Sequence, residues 1–299
     1  MRPGLEQQPA SASLAAVECG GPTAARLRLG ARLRQLRHAA GITRQDAAAA
    51  IRSSASKITR LELGRTGIKP QDVTDLLRLY GADPAGQASM MALARAGNTR
   101  GWWREYDDAV PGWQATYLGL EQSASIIRSY EPRFVPELLQ TPEYARALQV
   151  SRSGDLDADR AERQLAVLQR RQQILHREDP PHVWTVIDEG ALRRLIGGPT
   201  VMRAQLGHLI DITRLGHVNI QVLPFRASGH AACGSPVVLL RFAGDQLPDV
   251  VCLEYFAGAV YPPGSAELTC YWDTLNRLAT QADPPIASTL AIEELRREL

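Results

Sequence analysis

Along the first third of the chain apolar residues recur at helical spacing, and no strand pattern appears before about residue 180. Leu29, Leu33 and Leu36 mark the inner face of a first helix, which stops at Gly41, a residue at ease in the left-handed position after a helix. Thr43 is placed to cap a second helix over 44–51, whose Ala47-Ala48-Ala49-Ala50 run lets another backbone approach closely. After the short turn Arg52-Ser53, Ser54 caps a third helix over 55–63, with Ile58 and Leu61 facing inward and Gly64 ending it. Pro70 opens a fourth helix through Leu79, stopped by Gly81, and 84–96 supplies a fifth.

The loop residues Gly97-Asn98-Thr99-Arg100-Gly101 run into an abrupt cluster of Trp102, Trp103 and Tyr106, so the chain is expected to divide there. The expected parts are a disordered tail at 1–21, a helical domain at 22–98 and a second domain at 102–299. In the second domain the pattern predicts helices over 117–128, 142–150, 159–176, 189–196, 201–215, 266–280 and 289–297. Strands are predicted over 182–187, 218–223, 237–242 and 250–256. The expected fold is therefore multidomain: an all-α five-helix helix-turn-helix domain, then an α/β or α+β domain with at least four strands.

The 299 residues are 44% hydrophobic and 22% charged, a soluble globular composition too long for one small module. The overall charge of +2 conceals an asymmetry. Residues 22–100 hold 14 basic and 5 acidic side chains, a net of +9, whereas 101–299 hold 19 Arg, no Lys and 25 acidic residues, a net of −6. A basic segment joined to an acidic one suggests one half that binds a polyanion and another with a different task. No uncharged apolar run approaches the ~20 residues that cross a bilayer, and the N-terminus lacks a secretory pattern, so a cytoplasmic chain off the membrane is expected. Cys19, Cys233, Cys252 and Cys270 lie far apart, which indicates neither a disulfide framework nor a zinc site. His230 and Cys233 are three apart but have no second pair, so they are read as loop residues, and no metal or cofactor is expected.

A short helix, a tight turn and a second capped helix in a basic segment form the arrangement that sets one helix in the major groove of DNA. On the third helix Ala55, Ser56, Thr59 and Arg60 face outward, with Lys57 to one side. Arg60 or Lys57 suits guanine O6 and N7, while Ser56, Thr59 and the Ala55 methyl offer adaptable or apolar contacts. Arg44, opening the second helix, and Arg65, just past the third, are placed as phosphate clamps. The run Ile42-Thr43-Arg44-Gln45-Asp46-Ala47-Ala48 followed by 54–65 resembles the Xre-type helix-turn-helix family of repressor-like regulators over roughly 27–80. That resemblance implies a core of Ile42, Ala47, Ile51, Ile58 and Leu61, an Arg37 to Glu62 ion pair tying the helices, and a homodimer on a pseudo-palindromic double-stranded operator. Members often carry glycine in the turn, where this chain has Arg52-Ser53.

In the second half, residues alone indicate an acidic domain with an apolar sheet. The segments 117–124, Phe134-Val135-Pro136-Glu137-Leu138-Leu139-Gln140-Thr141-Pro142, 186–194, Ile220-Gln221-Val222-Leu223-Pro224-Phe225 and Leu253-Glu254-Tyr255 resemble the C-terminal domain of actinobacterial Scr-type antitoxin-like, or WhiJ-like, transcriptional regulators. Members usually carry Pro-Gly where this chain has Pro136-Glu137. The resemblance implies a partner, a small toxin-like or BldB-like protein, and with it an alternative role of sequestering that protein. Trp102, Trp103, Tyr106, Trp113 and Tyr117 place five rings within sixteen residues, fit either for an interface or for stapling the linker to a core. Asp188, Glu189, Arg193, His208 and His217 form no triad order, metal spacing or phosphate loop, so no enzyme is indicated. Asp188 reads as a helix cap with Glu189 in the first turn. Glu254 shares a strand face with Val250, Cys252 and Phe256, and would need a partner such as an Arg if that face is buried, which makes it a candidate ligand contact.

Overall fold

The computed structural model of the protein describes residues 21–153, 157–227, 235–244, 247–255, 258–262 and 265–299. The expected tail (apart from Gly21), Cys19, His230, Cys233 and Phe256 lie outside them. The chain forms two compact units, the first reaching Arg104 and the second comprising Glu105–Ala243 and Pro248–Leu299.

The first unit contains helices α1 (Pro22–Ala39), α2 (Arg44–Ala50), α3 (Ala55–Glu62), α4 (Pro70–Leu79) and α5 (Pro84–Gly97). The first four end alike, each in a pair of backbone hydrogen bonds that turns the chain out of the helix. After α1, for example, the Gly41 amide donates to the His38 carbonyl at 3.0 Å and Ile42 to Arg37 at 3.1 Å. The left-handed residue is Gly41, Gly64 or Gly81 in three of these turns and Arg52, at φ 49°, in the fourth. Buried Leu29, Leu33, Ile51, Ile58, Leu61, Val73, Leu76, Leu77 and Leu93 form the core, with Leu36 and Ile42 packed at its edge. Gly30 brings α1 onto the end of α3, since a Cβ there would lie 2.6 Å from the carbonyl oxygens of both Leu61 and Glu62. Asn98 clamps the α3–α4 loop by exchanging hydrogen bonds with the Ile68 backbone.

The second unit is built on a six-stranded mixed sheet of order β3-β2-β1-β4-β5-β6. Helix α6 (Gly112–Glu121) leads into β1 (Ala124–Glu131). The 3-10 turn Glu137–Leu139, α7 (Pro142–Ser153) and α8 (Ala158–Gln172) carry the chain to β2 (His182–Asp188), parallel to β1. Helices α9 (Glu189–Arg193) and α10 (Gly198–Ile212) then lead to β3 (Val218–Leu223), parallel to β2. On the other side of β1 lie the antiparallel β4 (Val237–Phe242), β5 (Val250–Tyr255) and β6 (Gly258–Val260). Helix α11 (Ser265–Gln281) packs its Leu275 and Leu278 against Tyr130, Val186, Val237, Leu239 and Val251 on one face of the sheet. Helix α12 (Pro285–Glu298) packs against β3 and α10.

Two predicted helices are corrected. The helix expected over 117–128 stops at Glu121, and its second half is β1, the central strand of the sheet. Ladders on both sides, to β2 and β4, decide this, because they satisfy the backbone of Ile126 to Glu131 while the local sequence allows either conformation. The helix expected over 189–196 also closes early, at Arg193.

Candidate nucleic-acid interface

Two side-chain caps set the geometry of α2 and α3. At α2, Thr43 and Asp46 cap reciprocally: the Asp46 amide donates to Thr43 Oγ1 at 3.2 Å and the Thr43 amide to Asp46 Oδ2 at 3.3 Å. At α3 the Lys57 amide donates to Ser54 Oγ at 3.2 Å. Between them the Arg52 turn closes with Ser53 bonded to Ala48 at 2.9 Å. The two helices are locked together from behind by a buried ion pair, with Arg37 Nε 2.6 Å from Glu62 Oε1 and Nη2 3.1 Å from Oε2. Their side chains are only 5% and 4% exposed, and Arg37 Nη1 also donates to the Ile42 carbonyl. The Glu62 hydrogen bonds hold the Arg37 pKa above its ordinary value against the opposing effect of burial.

With Ile58, Leu61 and Glu62 turned inward, α3 exposes Ser56, Arg60 and, just past its end, Leu63 at helical spacing, flanked by half-buried Ala55, Lys57 and Thr59. Thr59 Oγ1 donates to the Ala55 carbonyl at 3.1 Å, which leaves its oxygen free to accept. The Lys57 ammonium lies 2.5 Å from Asp72 Oδ2 on α4. The Arg60 and Arg65 side chains are exposed and have no partner among the described residues. Arg44 is 46% exposed, its Nε 3.8 Å from Glu62 Oε2. Two exposed residues beside this face were passed over as contacts in the sequence: Leu63, 40% exposed, and Arg52. The signal for Arg52 was present, a cation where the other three turns have glycine.

The candidates near the unit boundary separate. Trp103 is 3% exposed, its indole folded so closely over Gly101 that a Cβ there would lie 2.3 Å from the ring, so it offers no face to a partner. Trp102 packs edge-on against it, centroids 5.8 Å apart. Tyr106, half-buried, lies under the Arg163 guanidinium at 5.2 Å. Glu254 is exposed although Cys252, two residues earlier on the same face, is buried, so the burial that would have demanded a partner does not arise.

The acid, base and thiol candidates of the second unit have structural surroundings. Asp188 caps α9 through the Gly190 amide at 2.8 Å, and Glu189 accepts from the Phe225 amide at 2.9 Å and from Arg193 Nε at 2.7 Å. Burial pushes the Cys252 thiol up to about 12, which keeps it protonated and a poor nucleophile at neutral pH. Among the described residues no group of His, Cys, Asp and Glu is placed to hold a metal, and no helix is long and apolar enough to cross a membrane.

Comparison with known proteins gives each part of the chain a counterpart. Residues 28–90 match the model described as a helix-turn-helix domain, which points to a DNA-binding regulator rather than an enzyme. No curated protein and no solved structure matches the chain. Residues 114–294, more than half of the chain, match the model described as Domain of unknown function (DUF5753), and the chain belongs to that family.

Proposed function

We propose that the protein is a sequence-specific transcriptional regulator that lays α3 in the major groove of its operator. The observation that carries the reading is the outward strip of Ser56 and Arg60 on a helix capped by Ser54, within a segment of net charge +9. In this reading Arg60 donates to guanine O6 and N7, while Ser56, the Thr59 oxygen and the Ala55 methyl supply the remaining base contacts. Arg44 and Arg65 grip phosphates, Arg52 adds a third cation at the turn, and Lys57 contributes charge rather than base readout. Domain limits of 22–98 and 102–299, a homodimer in the cytoplasm and an effector or partner site in the second domain complete the reading. The Xre-type and Scr-type, WhiJ-like resemblances favour a small toxin-like or BldB-like protein as that partner.

Gel shifts across an operator series test the division of labour. Arg60→Ala is expected to cost about 1 to 3 kcal/mol on the operator and to flatten preference at one base pair. Arg44→Ala is expected to weaken every duplex alike and to lower the salt slope by about 1. Equal, sequence-independent losses in both variants contradict the assignment. Footprinting decides the oligomer: two protected half-sites about one helical turn apart are expected, and a single asymmetric site with one protein per duplex rules out the dimer.

A further inference from the structure

Among the described residues two arginines are buried, Arg37 in the first unit and Arg128 in the second. Arg37 has the Glu62 carboxylate beside it. Arg128, on the central strand β1, is 6% exposed and has no carboxylate partner among the described residues. Its hydrogen bond, 2.7 Å long, runs from Nη1 to the side-chain oxygen of Asn276, a neutral amide on α11. A buried charge with so little polar compensation is costly, so its surroundings carry information.

Aromatic rings supply part of the compensation. The Arg128 guanidinium lies 5.0 Å from the ring centroid of Trp184, its register neighbour on β2, and 5.0 Å from that of Trp272 on α11. Arg241 on β4 also lies against Trp272, at 4.3 Å, but its charge is answered by Asp249 at 2.9 Å. The Trp272 indole donates to the same Asp249 carboxylate at 2.7 Å. Burial and the neighbouring Arg241 both lower the Arg128 pKa from its ordinary value. Arg128, Arg241 and Asp249 together therefore leave one positive charge in excess.

Other arginines of the chain show which edge of Arg128 is idle. Arg37, Arg163, Arg171 and Arg241 each direct Nε and Nη2, the side edge of the guanidinium, at one carboxylate: Glu62, Asp108, Glu121 and Asp249 respectively. In Arg128 that edge has no acceptor among the described residues, since the bond to Asn276 engages only Nη1. The edge is not sealed, for neither nitrogen is among the fully buried polar atoms that lack a partner. Around it Trp184, Arg241 and Asn276 are exposed, Trp184 by 41%. Two parallel N–H donors match the two oxygens of a carboxylate, and an exposed indole beside them offers a stacking surface to a flat ring. Inorganic phosphate, which carries more negative charge at neutral pH, meets a single uncompensated cation with Asp249 close by.

We infer that Arg128 binds the carboxylate of a small aromatic acid, holding both oxygens with Nε and Nη2 while the ring of the acid stacks on Trp184. This site does not depend on the DNA-binding reading, and its test involves no DNA.

NMR titration of the full chain at neutral pH, with benzoate, acetate, benzamide and inorganic phosphate as probes, decides the matter. The resonances followed are the Trp184 indole N–H, assigned through Trp184→Phe, and the Arg128 Nε–H, assigned through Arg128→Lys. Benzoate is expected to shift both and to saturate, acetate to bind several-fold more weakly for want of a ring, and the uncharged benzamide and phosphate to bind more weakly still. Arg128→Lys keeps the charge but loses the two-donor edge, and is expected to weaken benzoate about tenfold or more, the loss that accompanies one charge-assisted hydrogen bond. Trp184→Thr, at an exposed strand position where the fold tolerates change, is expected to lower benzoate to the level of acetate and to leave acetate unchanged. The inference is overturned if benzoate does not saturate, if benzamide or phosphate binds as tightly as benzoate, or if the Trp184 resonance is unmoved at saturation. Unchanged benzoate affinity in Trp184→Thr overturns it equally.

Discussion

Arg52 carries the clearest local strain in the first unit. A side chain in the left-handed region clashes with the following carbonyl, a cost of roughly 1 to 2 kcal/mol that Gly41, Gly64 and Gly81 avoid in the equivalent turns. Arg52→Gly is therefore expected to stabilise the protein by about 1 kcal/mol, part of the relief being lost to the freer unfolded chain, as a higher urea midpoint will show. The Arg37 to Glu62 pair behaves oppositely. Arg37→Met strands a buried carboxylate and is expected to cost about 3 to 5 kcal/mol, whereas Arg37→Met combined with Glu62→Leu is expected to recover most of that loss in the same denaturation assay. At this scale the sequence was informative. The two caps, the glycine stops and the departure at Arg52 are local features, and Arg37 and Glu62 stood out through resemblance. What Lys57 does was not legible, because its partner Asp72 lies on another helix, fifteen residues away.

Among the elements, α3 owes its position to the absence of a side chain on α1. The carbonyls that a Cβ at Gly30 would strike are backbone atoms with no rotamer to change, so the helices must separate. Gly30→Ala is expected to cost about 1 to 3 kcal/mol in a denaturation curve, and in gel shifts to weaken specific duplexes more than nonspecific ones. The helices of the first unit were readable because each carries its own start and stop signals. The boundary between α6 and β1 was not, since Tyr117 to Arg128 contains no proline and only the short polar run Glu121-Gln122-Ser123 marks the junction, and the strand exists through its ladders to β2 and β4. The departure at Glu137 acquires a role only in the fold, where this carboxylate reaches Arg171 on α8.

For the whole molecule, pH acts through buried groups. Burial, with a smaller effect of His176, lowers the His208 pKa below its ordinary value of 6.5, and Asp211 opposes it only partly. Above about pH 6.5 both folded and unfolded His208 are neutral and this contribution is intact; on acidification the unfolded chain takes up the proton first, so stability falls as pH falls. The urea midpoint is expected to drop between about pH 7.5 and 5.5, and His208→Gln to drop less over the same interval. The sequence by itself determined the division into a basic helical part and an acidic mixed part, the helix boundaries of the first and the outward strip of α3, because charge, capping and helical periodicity act between residues a few positions apart. Only the tertiary structure decided that the sheet has six strands with β1 at its centre, that Lys57 pairs with Asp72, and that Arg128 comes to lie against Trp184 and Trp272. Strand register and buried ion pairs join residues tens to more than a hundred positions apart, and their energies come from hydrogen bonds and desolvation that exist only once the chain has closed on itself.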